Sequence, residues 1–483
     1  MQNPFIYKIQ TDNGQYIYDV NTNAIVRCTK IAFNILPEIY KINPVEISER
    51  YGYQIDDVLA AEKEINALVA SKGVFSCKHP QKMQFDWDNA QEVLNTEVSY
   101  LRLDVTEQCN QRCSYCYFSG NYKKLRTHGQ KMMSRSTAHD AVDFLFQHSS
   151  KSSTVRISFY GGEPLLNFRT IKATVEYAKH CFKTRVSFDI LTNGSLLDDE
   201  IVKFLVGNDF WVTLSLDGPS EIHDRNRVGT DGGGTFARVW KKLNDLYQYH
   251  PKYFKEKVTI RCTIAPPTTI QQMVDFFDLG FLAEQEVVFS IVSDVANLQE
   301  GETRKWLFQL TQDSYLNLYS RLLSKKPDVF RYMPRSLSRP LKDIVKRKFT
   351  LLGDVVHPNR QCLPGAKWPT ITTEGKIIIC DAIGNNPDMA IGDVADGWNM
   401  KTIISVIDRY IDVSQACLTC WLIRFCPFCL PSALNEKGYI SHSAKETKCA
   451  AIKKEYGLAL YEYIKLLETD KSIFDSIRDR DAK

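Results

Sequence analysis

Between about residue 99 and residue 325, short apolar stretches alternate with longer segments whose apolar residues recur at helical spacing. The short stretches are rich in β-branched and aromatic residues and are bounded by turn residues, so they predict strands. The six strand candidates are SYLRLDVT, TVRISFYG, VSFDILTNG, FWVTLSLDG, KVTIRCTIAP and EVVFSIVS. Six strand–helix units predict an α/β region with a parallel sheet, either a partial barrel or an open doubly wound sheet.

The first 85 residues have a different pattern, in which three strand candidates precede three helix candidates. The strands FIYKIQ, QYIYDV and AIVRCT are separated by turn signals, and Gly73 marks the end of the third helix, DDVLAAEKEINALVASKG. We therefore expect a small domain over 1–85 that resembles a winged helix. The segment 78–95 is expected to connect it to the alternating region, whose domain we place at 86–325.

Two further segments follow the alternating region. Residues 326–350 include the basic stretch FRYMPRSLSRPLKDIVKRKF, which we interpret as a solvated connector, with a nucleic-acid patch as the alternative. Residues 351–483 contain seven cysteines and a final amphipathic helix candidate, AIKKEYGLALYEYIKLL. The chain therefore divides into two outer domains, a central one and a connector.

Composition and charge narrow the class of protein. The chain has 483 residues, a hydrophobic fraction of 44% and a net charge of +4, which is too mild to argue for nucleic acid. No stretch approaches the roughly 20 apolar residues of a membrane span, and the first residues show no signal-peptide pattern. We expect a cytoplasmic protein with no membrane and no nucleic-acid partner.

Ten of the 14 cysteines fall into two groups, and a reducing cytoplasm disfavours disulfides between them. Cys109, Cys113 and Cys116 follow the first strand at C-x3-C-x2-C spacing. Three thiolates on one polar loop can hold three irons of a 4Fe–4S cube and leave the fourth iron open. A structural zinc site needs four ligands, and no fourth cysteine or suitable histidine lies nearby in sequence, so we favour a cluster. We interpret the four scattered cysteines as buried inert thiols, namely Cys28, Cys77, Cys181 and Cys262.

The C-x3-C-x2-C motif after the first strand, with Tyr115 beside the last cysteine, resembles the radical S-adenosylmethionine (SAM) superfamily. The resemblance implies a partial (β/α)6 barrel and a 4Fe–4S cluster whose open iron binds S-adenosylmethionine. In that family, reductive cleavage of the cofactor gives a 5′-deoxyadenosyl radical that abstracts a substrate hydrogen. The sequence YGGEP after the second strand resembles the family motif that contacts the cofactor ammonium.

The same resemblance assigns cofactor contacts at the ends of several strands. Ser215, Asp217 and Arg227 match positions that hold ribose or carboxylate, and Asn193 in TNG is a similar candidate. For these four residues, local turn capping is a nearly equal alternative. The full set of expected cofactor-binding residues is Tyr115, Gly161, Gly162, Glu163, Asn193, Ser215, Asp217 and Arg227.

The second cysteine group resembles the SPASM extension of radical enzymes that modify peptides and proteins. The resemblance implies two auxiliary 4Fe–4S clusters, so we expect three clusters in total. The outer cluster would be held by Cys417, Cys420, Cys426 and Cys449, and the inner one by Cys362, Cys380 and Cys429. A zinc ribbon is the alternative, but it would leave Cys362, Cys380 and Cys449 unused.

Two further residues near this group have candidate roles. Seven cysteines are one ligand short for two clusters, and His357 or a substrate thiolate could complete the set. Asp381, directly after Cys380, matches the position of a proposed general base in sulfatase-maturing relatives, with a surface or capping carboxylate as the alternative.

The domain over 1–85 is similar to the leader-recognition element of enzymes that mature ribosomally made peptides. The expected groove lies between the third strand, 23–28, and the third helix, 58–71, where an extended leader could add a strand. A DNA-binding winged helix is the rival, but the third helix mixes Glu62, Lys63 and Glu64 and has no basic face. The expected partners are a precursor peptide, with leader and core, and an external electron donor such as flavodoxin or ferredoxin.

Together these patterns predict a radical SAM maturase that binds a leader and oxidatively crosslinks core residues through thioether bonds. Carbon–carbon or carbon–oxygen crosslinking, epimerisation and formylglycine formation in a sulfatase are alternatives of the same class. A cluster-bearing redox carrier is a non-enzymatic alternative, which the presence of the GGEP motif disfavours. A tRNA-modifying radical enzyme is a further rival that the lack of a basic face disfavours.

Overall fold

The computed structural model describes residues 3–121, 126–292, 300–326, 328–358, 362–381, 383 and 389–475. At the N-terminus, three strands form an antiparallel sheet with the second strand in the middle. These strands are β1 (Ile6–Thr11), β2 (Gly14–Asp19) and β3 (Ala24–Cys28). Three helices follow, as the sequence predicts, namely α1 (Lys30–Ile35), α2 (Pro44–Tyr51) and α3 (Ile55–Lys72).

Local signals set the ends of these helices. The side chain of Asn43 accepts hydrogen bonds from the first backbone amides of α2, which is the usual role of asparagine at a helix N-cap. Gly73 ends α3 with a φ of +68°, a conformation that glycine adopts without steric cost. The helices bury one face of the sheet in a separate apolar core that includes Ile17, Val58 and Ile65.

The segment 78–95 is more ordered than the connector that the sequence predicts. It contains a short strand, β4 (Lys82–Met83), and leads into a helix, α4 (Trp87–Thr96). Ala90 and Leu94 of α4 are buried. This helix is therefore part of the packed body, because its short apolar face has a partner that the sequence pattern does not reveal.

Six parallel strands form the centre of the molecule. They are β5 (Tyr100–Thr106), β6 (Val155–Gly161), β7 (Val186–Thr192), β8 (Trp211–Ser215), β9 (Val258–Ile264) and β10 (Val287–Ile291). They lie side by side in chain order. The helices between them are α5 (Arg135–Gln147), α6 (Phe168–Phe182), α7 (Asp199–Gly207), α8 (Ser220–Asn226), α9 (Phe236–Tyr249), α10 (Pro251–Lys257) and α11 (Ile270–Phe277).

This strand order resolves the two architectures that the sequence leaves open. A doubly wound sheet reverses its strand order at a switch point, whereas right-handed crossovers in unbroken order put all helices on one face. The parallel strands therefore confirm the expected α/β fold of partial-barrel type. On the helix-covered face of β5, Leu101, Leu103 and Val105 are fully buried. The alternate positions Arg102 and Asp104 lie on the opposite, concave face.

The basic stretch within 326–350 is not the solvated connector that we expect from its charge. After the long helix α12 (Glu300–Leu323) it forms helix α13 (Arg335–Val345), whose Leu337, Leu341 and Ile344 are buried. The helix packs against β10. Its basic residues lie on one side only, so the apolar side can be buried while the charges stay near solvent.

The C-terminal region extends the central sheet. Its strands and helices are β11 (Val355–Val356), β12 (Thr370–Ile371), β13 (Lys376–Ile378), β14 (Ala390–Asp393), β15 (Gly397–Trp398), α14 (Met400–Val413) and α15 (His442–Thr469). β12 pairs with β5 in parallel, and β13, β14 and β15 continue the sheet with antiparallel pairing. Among the described helices, none has the length and apolar character required to span a bilayer.

The N-terminal sheet is fixed to the C-terminal region. The rings of Tyr7 and Trp421 are stacked with centroids 3.9 Å apart. The Arg424 guanidinium donates to the carbonyl oxygen of Asn21 at 2.6 Å and also to that of Val20. Tyr16 donates to the carboxylate of Glu468 in α15 at 2.8 Å. The small domain therefore sits on the body through stacking and hydrogen bonds.

Candidate active site

The three cysteines of the first group lie on the loop after β5 and line one cavity of about 170 Å³ at the carboxyl ends of the parallel strands. Each sulfur has a hydrogen-bond donor. The amide of Gln111 donates to Cys109 Sγ at 3.4 Å, and the amide of Phe118 donates to Cys116 Sγ at 3.4 Å. The guanidinium of Arg227 lies 3.8 Å from Cys113 Sγ.

These donors suit thiolates that bind iron. Burial raises the pKa of the Cys109 thiol to about 12 and also raises the pKa values of Cys113 and Cys116. Without a positive partner the three thiols would stay protonated at neutral pH. Hydrogen bonds from N–H groups and the nearby guanidinium favour the charged sulfur that an iron–sulfur cluster requires, so the trio fits such a cluster.

Two glycines of the YGGEP sequence hold the end of β6 against the cysteine loop. A Cβ on Gly162 would lie 1.9 Å from the carbonyl oxygen of Gln108, and one on Gly161 would lie 2.3 Å from that of Thr106. Gly161 also has a φ of +122°. The glycines thus allow two backbone segments of the chain to come into contact. The resemblance instead assigns these glycines to contact with the cofactor. Both glycines line the cavity.

Glu163 lies behind this contact and is 1% exposed. One carboxylate oxygen accepts from Thr192 Oγ1 at 2.6 Å, and the other accepts from the amide of Asn193 at 2.8 Å. Burial raises the pKa of Glu163 to about 7, although these hydrogen bonds oppose the shift. A buried carboxyl on a cavity wall is suited to a cationic group, since a positive ligand would favour its charged form.

Asn193 ties the end of β7 to the cysteine loop. Its side-chain amide donates to Asn110 Oδ1 at 2.9 Å, and its own Oδ1 accepts from the amide of Ser195 at 2.9 Å. Asn193 also lines the cavity, as does Ser215 at the end of β8. Asn193 therefore makes local turn contacts and lies on the cavity wall, and its contact with the cofactor stays a prediction.

Asp217, Arg227 and Tyr115 form one buried network beside Cys113. Asp217 is fully buried and accepts hydrogen bonds from Arg227 Nε at 2.8 Å, from the Tyr115 hydroxyl and from the amide of Thr263 at 2.9 Å. Arg227 and Tyr115 line the cavity, whereas Asp217 is not part of its lining. The Asp217 carboxylate thus holds the other two side chains in place, and its own contact with the cofactor stays a prediction.

Several residues of the cavity wall are not among the cofactor-binding residues that the sequence predicts. They are Gln111, Tyr160, Arg261, Thr263 and Ser290. Arg261 and Thr263 alternate along β9 with the buried Ile260, Cys262 and Ile264. This period of two marks them as concave-face residues, so strand alternation could have identified them once the face with the helices was known.

Asp381 lies at the edge of the same face. Its carboxylate is 2.8 Å from Arg102 Nη1 and about a third exposed. The Arg102 guanidinium lies over the ring of Tyr160, 4.8 Å from its centroid, and Tyr160 lines the cavity. Burial, with a further contribution from the charge of Asp381, raises the pKa of Asp104 to about 6. The structure thus places the Asp381 carboxylate near the cavity and pairs it with an arginine. Its role as a general base stays a prediction.

Four cysteines of the second group surround a separate cavity. Cys417, Cys420, Cys426 and Cys449 line a small cavity of about 20 Å³ together with Ile423, Ile452 and other residues. These are the four cysteines that the resemblance assigns to the outer cluster. The Nζ of Lys445 lies 3.1 Å from Cys417 Sγ and 3.9 Å from Cys449 Sγ. A cation at this distance fits sulfurs that carry negative charge.

The other three cysteines lie apart from that cavity. Cys362 and Cys429 are close enough for the charge of Cys362 to contribute to the raised pKa of Cys429, whose main cause is burial. His357 contacts the ring of Phe85, with centroids 4.8 Å apart, and its Nδ1 lies 2.8 Å from the carbonyl oxygen of Pro358. The role of His357 as an iron ligand stays a prediction. The same holds for the inner cluster at Cys362, Cys380 and Cys429.

Within the described ranges, no three Cys, His, Asp or Glu side chains converge closely enough to hold a single metal ion.

Comparison with known proteins places the central region in a family. The family model described as Radical SAM superfamily matches residues 103–280. The chain is 30% identical over 162 residues to the Cysteine-type anaerobic sulfatase-maturating enzyme of Clostridium novyi, which is 32% of this chain and 42% of that protein. It is also 30% identical over 216 residues to the S-adenosylmethionine-dependent nucleotide dehydratase of Psychrobacter lutiphocae, which is 43% of this chain and 70% of that protein.

A solved structure has the same fold. The structure of native anSMEcpe with bound AdoMet and Kp18Cys peptide superposes with a TM-score of 0.58 at 21% identity and covers 77% of this chain and 99% of that one. The chain spans between a third and a half of the length of the first curated relatives it matches. It belongs to the radical SAM superfamily and is an enzyme of the kind that uses S-adenosylmethionine and a 4Fe–4S cluster.

Proposed function

We propose that this enzyme binds the leader of a ribosomally made precursor peptide at its N-terminal domain and forms thioether crosslinks in the core of that peptide. The proposal includes two auxiliary 4Fe–4S clusters, one at each set of C-terminal cysteines. It draws on the anaerobic sulfatase-maturating relative, whose name gives it a protein substrate. It also draws on the similar fold of a structure that holds a peptide.

The single observation that carries the proposal is the open edge of β3. On one side β3 pairs with β2, and the sheet ends there among the strands that the structure describes. The opposite edge strand, β1, is covered by α15. An extended peptide can add to an open edge through backbone hydrogen bonds and place alternate side chains in pockets beside it. The free edge therefore suits an unstructured leader.

The expected groove between β3 and α3 would be apolar, with a charged residue at its border. Val26 and Cys28 of β3 face the helices and pack on the N-terminal core. Burial, with a contribution from the charge of Glu64 on α3, raises the pKa of Cys28 to about 12. Neutral and apolar anchors of a leader could thus occupy the groove, with Glu64 at its border.

In the central cavity the chain binds and orients the cofactor. Cys109, Cys113 and Cys116 would hold a 4Fe–4S cluster, which would supply the electron for reductive cleavage of S-adenosylmethionine. Glu163 would balance the positive charge of the cofactor, and Arg227 would bind its carboxylate while Asp217 fixes the guanidinium in place. Asp381, at the edge of the concave face, could accept the proton that the substrate loses on oxidation.

The thioether assignment depends on the inner cysteine set. Cys362, Cys380 and Cys429 are three ligands for a cluster that takes four, and a thiolate of the substrate is a strong ligand for iron. Coordination would keep that sulfur deprotonated and next to the carbon radical. Forming the sulfur–carbon bond removes one hydrogen atom and one proton from the peptide and sends one electron to the cluster. His357 is the alternative fourth ligand, in which case the cluster relays electrons only.

Leader binding can be tested on the full chain with paired cysteine variants. Cys28→Trp fills the groove beside β3, whereas Cys181→Trp makes the same change on α6, away from the N-terminal domain. We expect Cys28→Trp to weaken binding of a fluorescently labelled leader peptide at least tenfold and Cys181→Trp to leave it unchanged. Thermal unfolding of both variants, followed by circular dichroism, should match that of the wild type and so show that the N-terminal domain is folded. Equal leader affinity in the two variants would contradict the assignment.

The product can be tested by mass spectrometry of the cognate precursor after reaction. The proposal predicts the loss of two hydrogens per crosslink, and no reaction of a core in which serine replaces every cysteine. His357→Ala should leave crosslinking intact if the substrate sulfur is the fourth ligand. Full modification of a cysteine-free core would exclude sulfur and favour a carbon–carbon, carbon–oxygen or epimerising reaction.

Formylglycine formation is the second candidate, because the similarity to the sulfatase-maturating enzyme covers the radical region. It predicts a different product, in which a cysteine or serine side chain becomes an aldehyde. Incubation with a sulfatase-derived peptide and an aldehyde-specific reagent distinguishes the two reactions. A labelled aldehyde would favour formylglycine over the crosslink.

A further inference from the structure

Lys445 is a buried cation at the outer cysteine cavity. It lies in the first turn of α15 and is 5% exposed. Its ammonium is 3.1 Å from Cys417 Sγ, 3.9 Å from Cys449 Sγ and 5.3 Å from the centroid of the Phe428 ring. Across the described ranges no carboxylate forms an ion pair with it. The acceptors that face this ammonium are therefore the two sulfurs.

An ammonium buried without a counter-charge is strongly unfavourable, and a neutral thiol is only a weak acceptor. The position of Lys445 becomes favourable when Cys417 and Cys449 are thiolates, which is their state as iron ligands. Hydrogen bonds to cluster sulfurs and nearby positive charge both favour the reduced, more negative state of an iron–sulfur cluster. The side chain is thus placed to act on the redox properties of this cluster.

We propose that Lys445 raises the reduction potential of the cluster held by Cys417, Cys420, Cys426 and Cys449, and so makes this cluster an electron acceptor. The inference rests on the proposed function, since it requires the outer cluster. Reduction adds one electron to the cluster. The electron would reach it from the inner cluster, which takes it up as the sulfur–carbon bond forms. The peptide loses one hydrogen atom to the 5′-deoxyadenosyl radical and the thiol proton to a base.

Lys453 provides a matched control on the same helix. It lines the same cavity, and its charge acts on Cys420 and Cys449, but its side chain is exposed to solvent. Water and salt screen the field of an exposed ammonium much more than that of a buried one. Loss of charge at Lys445 should therefore matter far more than loss of charge at Lys453.

The test is a redox titration of the reconstituted full chain. The paramagnetic signal of the reduced auxiliary clusters monitors the titration. The titration is done on a chain in which alanine replaces Cys109, Cys113 and Cys116. This chain lacks the radical cluster, so that cluster does not contribute to the signal. In that background we expect Lys445→Met to lower the ratio of reduced to oxidised outer cluster about tenfold at a fixed potential, a shift of about 59 mV for a one-electron couple. Lys445→Arg keeps the positive charge and should give a ratio close to that of the wild type. Lys453→Met should change the wild-type ratio less than twofold.

Iron content measured on the same samples separates the possible failures. If Lys445→Met does not retain the cluster, Lys445→Gln, which keeps a hydrogen-bond donor without charge, should retain it and show a lowered ratio. A ratio unchanged in a neutral variant that retains its iron would overturn the role of Lys445 and leave the proposed function standing. A wild-type chain without iron at the outer cysteines would overturn the proposed cluster and this inference together.

Discussion

At the scale of single residues, the proposed contact of Glu163 with the cofactor would link cofactor binding to pH. Because the pKa of this carboxyl is about 7, the free enzyme carries a proton there over much of the range below that value. The ammonium and sulfonium of S-adenosylmethionine favour the carboxylate form, so binding must release that proton at low pH. We expect the dissociation constant to rise as pH falls through about 7, approaching roughly tenfold per unit. Equilibrium binding at several pH values measures this slope.

Glu163→Gln is the matching variant, since glutamine keeps the shape of the side chain and cannot ionise. We expect it to bind S-adenosylmethionine more weakly near pH 8 and to lose the pH slope between about 6 and 7.5. If the slope persists in this variant, another group controls it and the assigned role of Glu163 fails.

Gly162 gives a second prediction at the residue scale. An added Cβ would lie 1.9 Å from the carbonyl oxygen of Gln108, which is backbone and cannot move aside as a flexible side chain would. Gly162→Ala should therefore lower the free energy of unfolding by about 1–3 kcal/mol, the usual range for overpacking, and displace the cysteine loop. Thermal unfolding and iron content of the variant test both effects.

Gly207→Ala is the control, because Gly207 lies at the end of α7 and an added Cβ there meets no atom within 4 Å. Its unfolding temperature should equal or exceed that of the wild type, since alanine stabilises helices relative to glycine. Equal iron content in Gly162→Ala and Gly207→Ala would argue against a tight contact between the two loops.

At the scale of elements, the proposed function requires the N-terminal domain to be held at a fixed position on the body, so that a bound leader presents the core to the radical. Arg424 joins the two parts through the carbonyl oxygens of Val20, Asn21 and Thr350. We expect Arg424→Ala to slow peptide processing severalfold without changing uncoupled cleavage of S-adenosylmethionine, because the radical site lies elsewhere. Peptide turnover and 5′-deoxyadenosine formation are measured separately.

Arg409→Ala on α14 is the control. Arg409 is exposed, and its side chain has no hydrogen-bond partner among the described residues. This variant should process peptide at the wild-type rate. A parallel loss of both activities in Arg424→Ala would instead indicate general destabilisation.

The elements also show how far the sequence pattern extends. The six parallel strands are predictable because each is a short apolar run between turn residues, and each helical segment between them is long enough to show its period. The pattern fails at α4 and α13, where connectors are expected. Both helices are short, and α13 has Pro340 and several basic residues, so their buried faces become recognisable only when their partners are known.

At the scale of the whole molecule, the candidate site combines parts that the sequence reveals to different degrees. The cysteines and the GGEP motif are identifiable because iron ligation and close backbone contact restrict residue type strongly. The contacts of Lys445 and the buried place of Asp217 are not, since each depends on segments that are distant in the chain. Spacing can identify ligands, whereas the side chains that orient them require the fold.

The central claim is that one chain carries a radical-generating cluster and two auxiliary clusters with separate cysteines. Three clusters of four irons predict roughly 12 irons per chain after anaerobic reconstitution. Replacing Cys109, Cys113 and Cys116 together with alanine should remove about a third of the iron and abolish the formation of 5′-deoxyadenosine from S-adenosylmethionine under dithionite. Parallel assays of iron and 5′-deoxyadenosine in the wild type and this triple variant are the most direct test. A triple variant that still forms 5′-deoxyadenosine would contradict the assignment of the radical site.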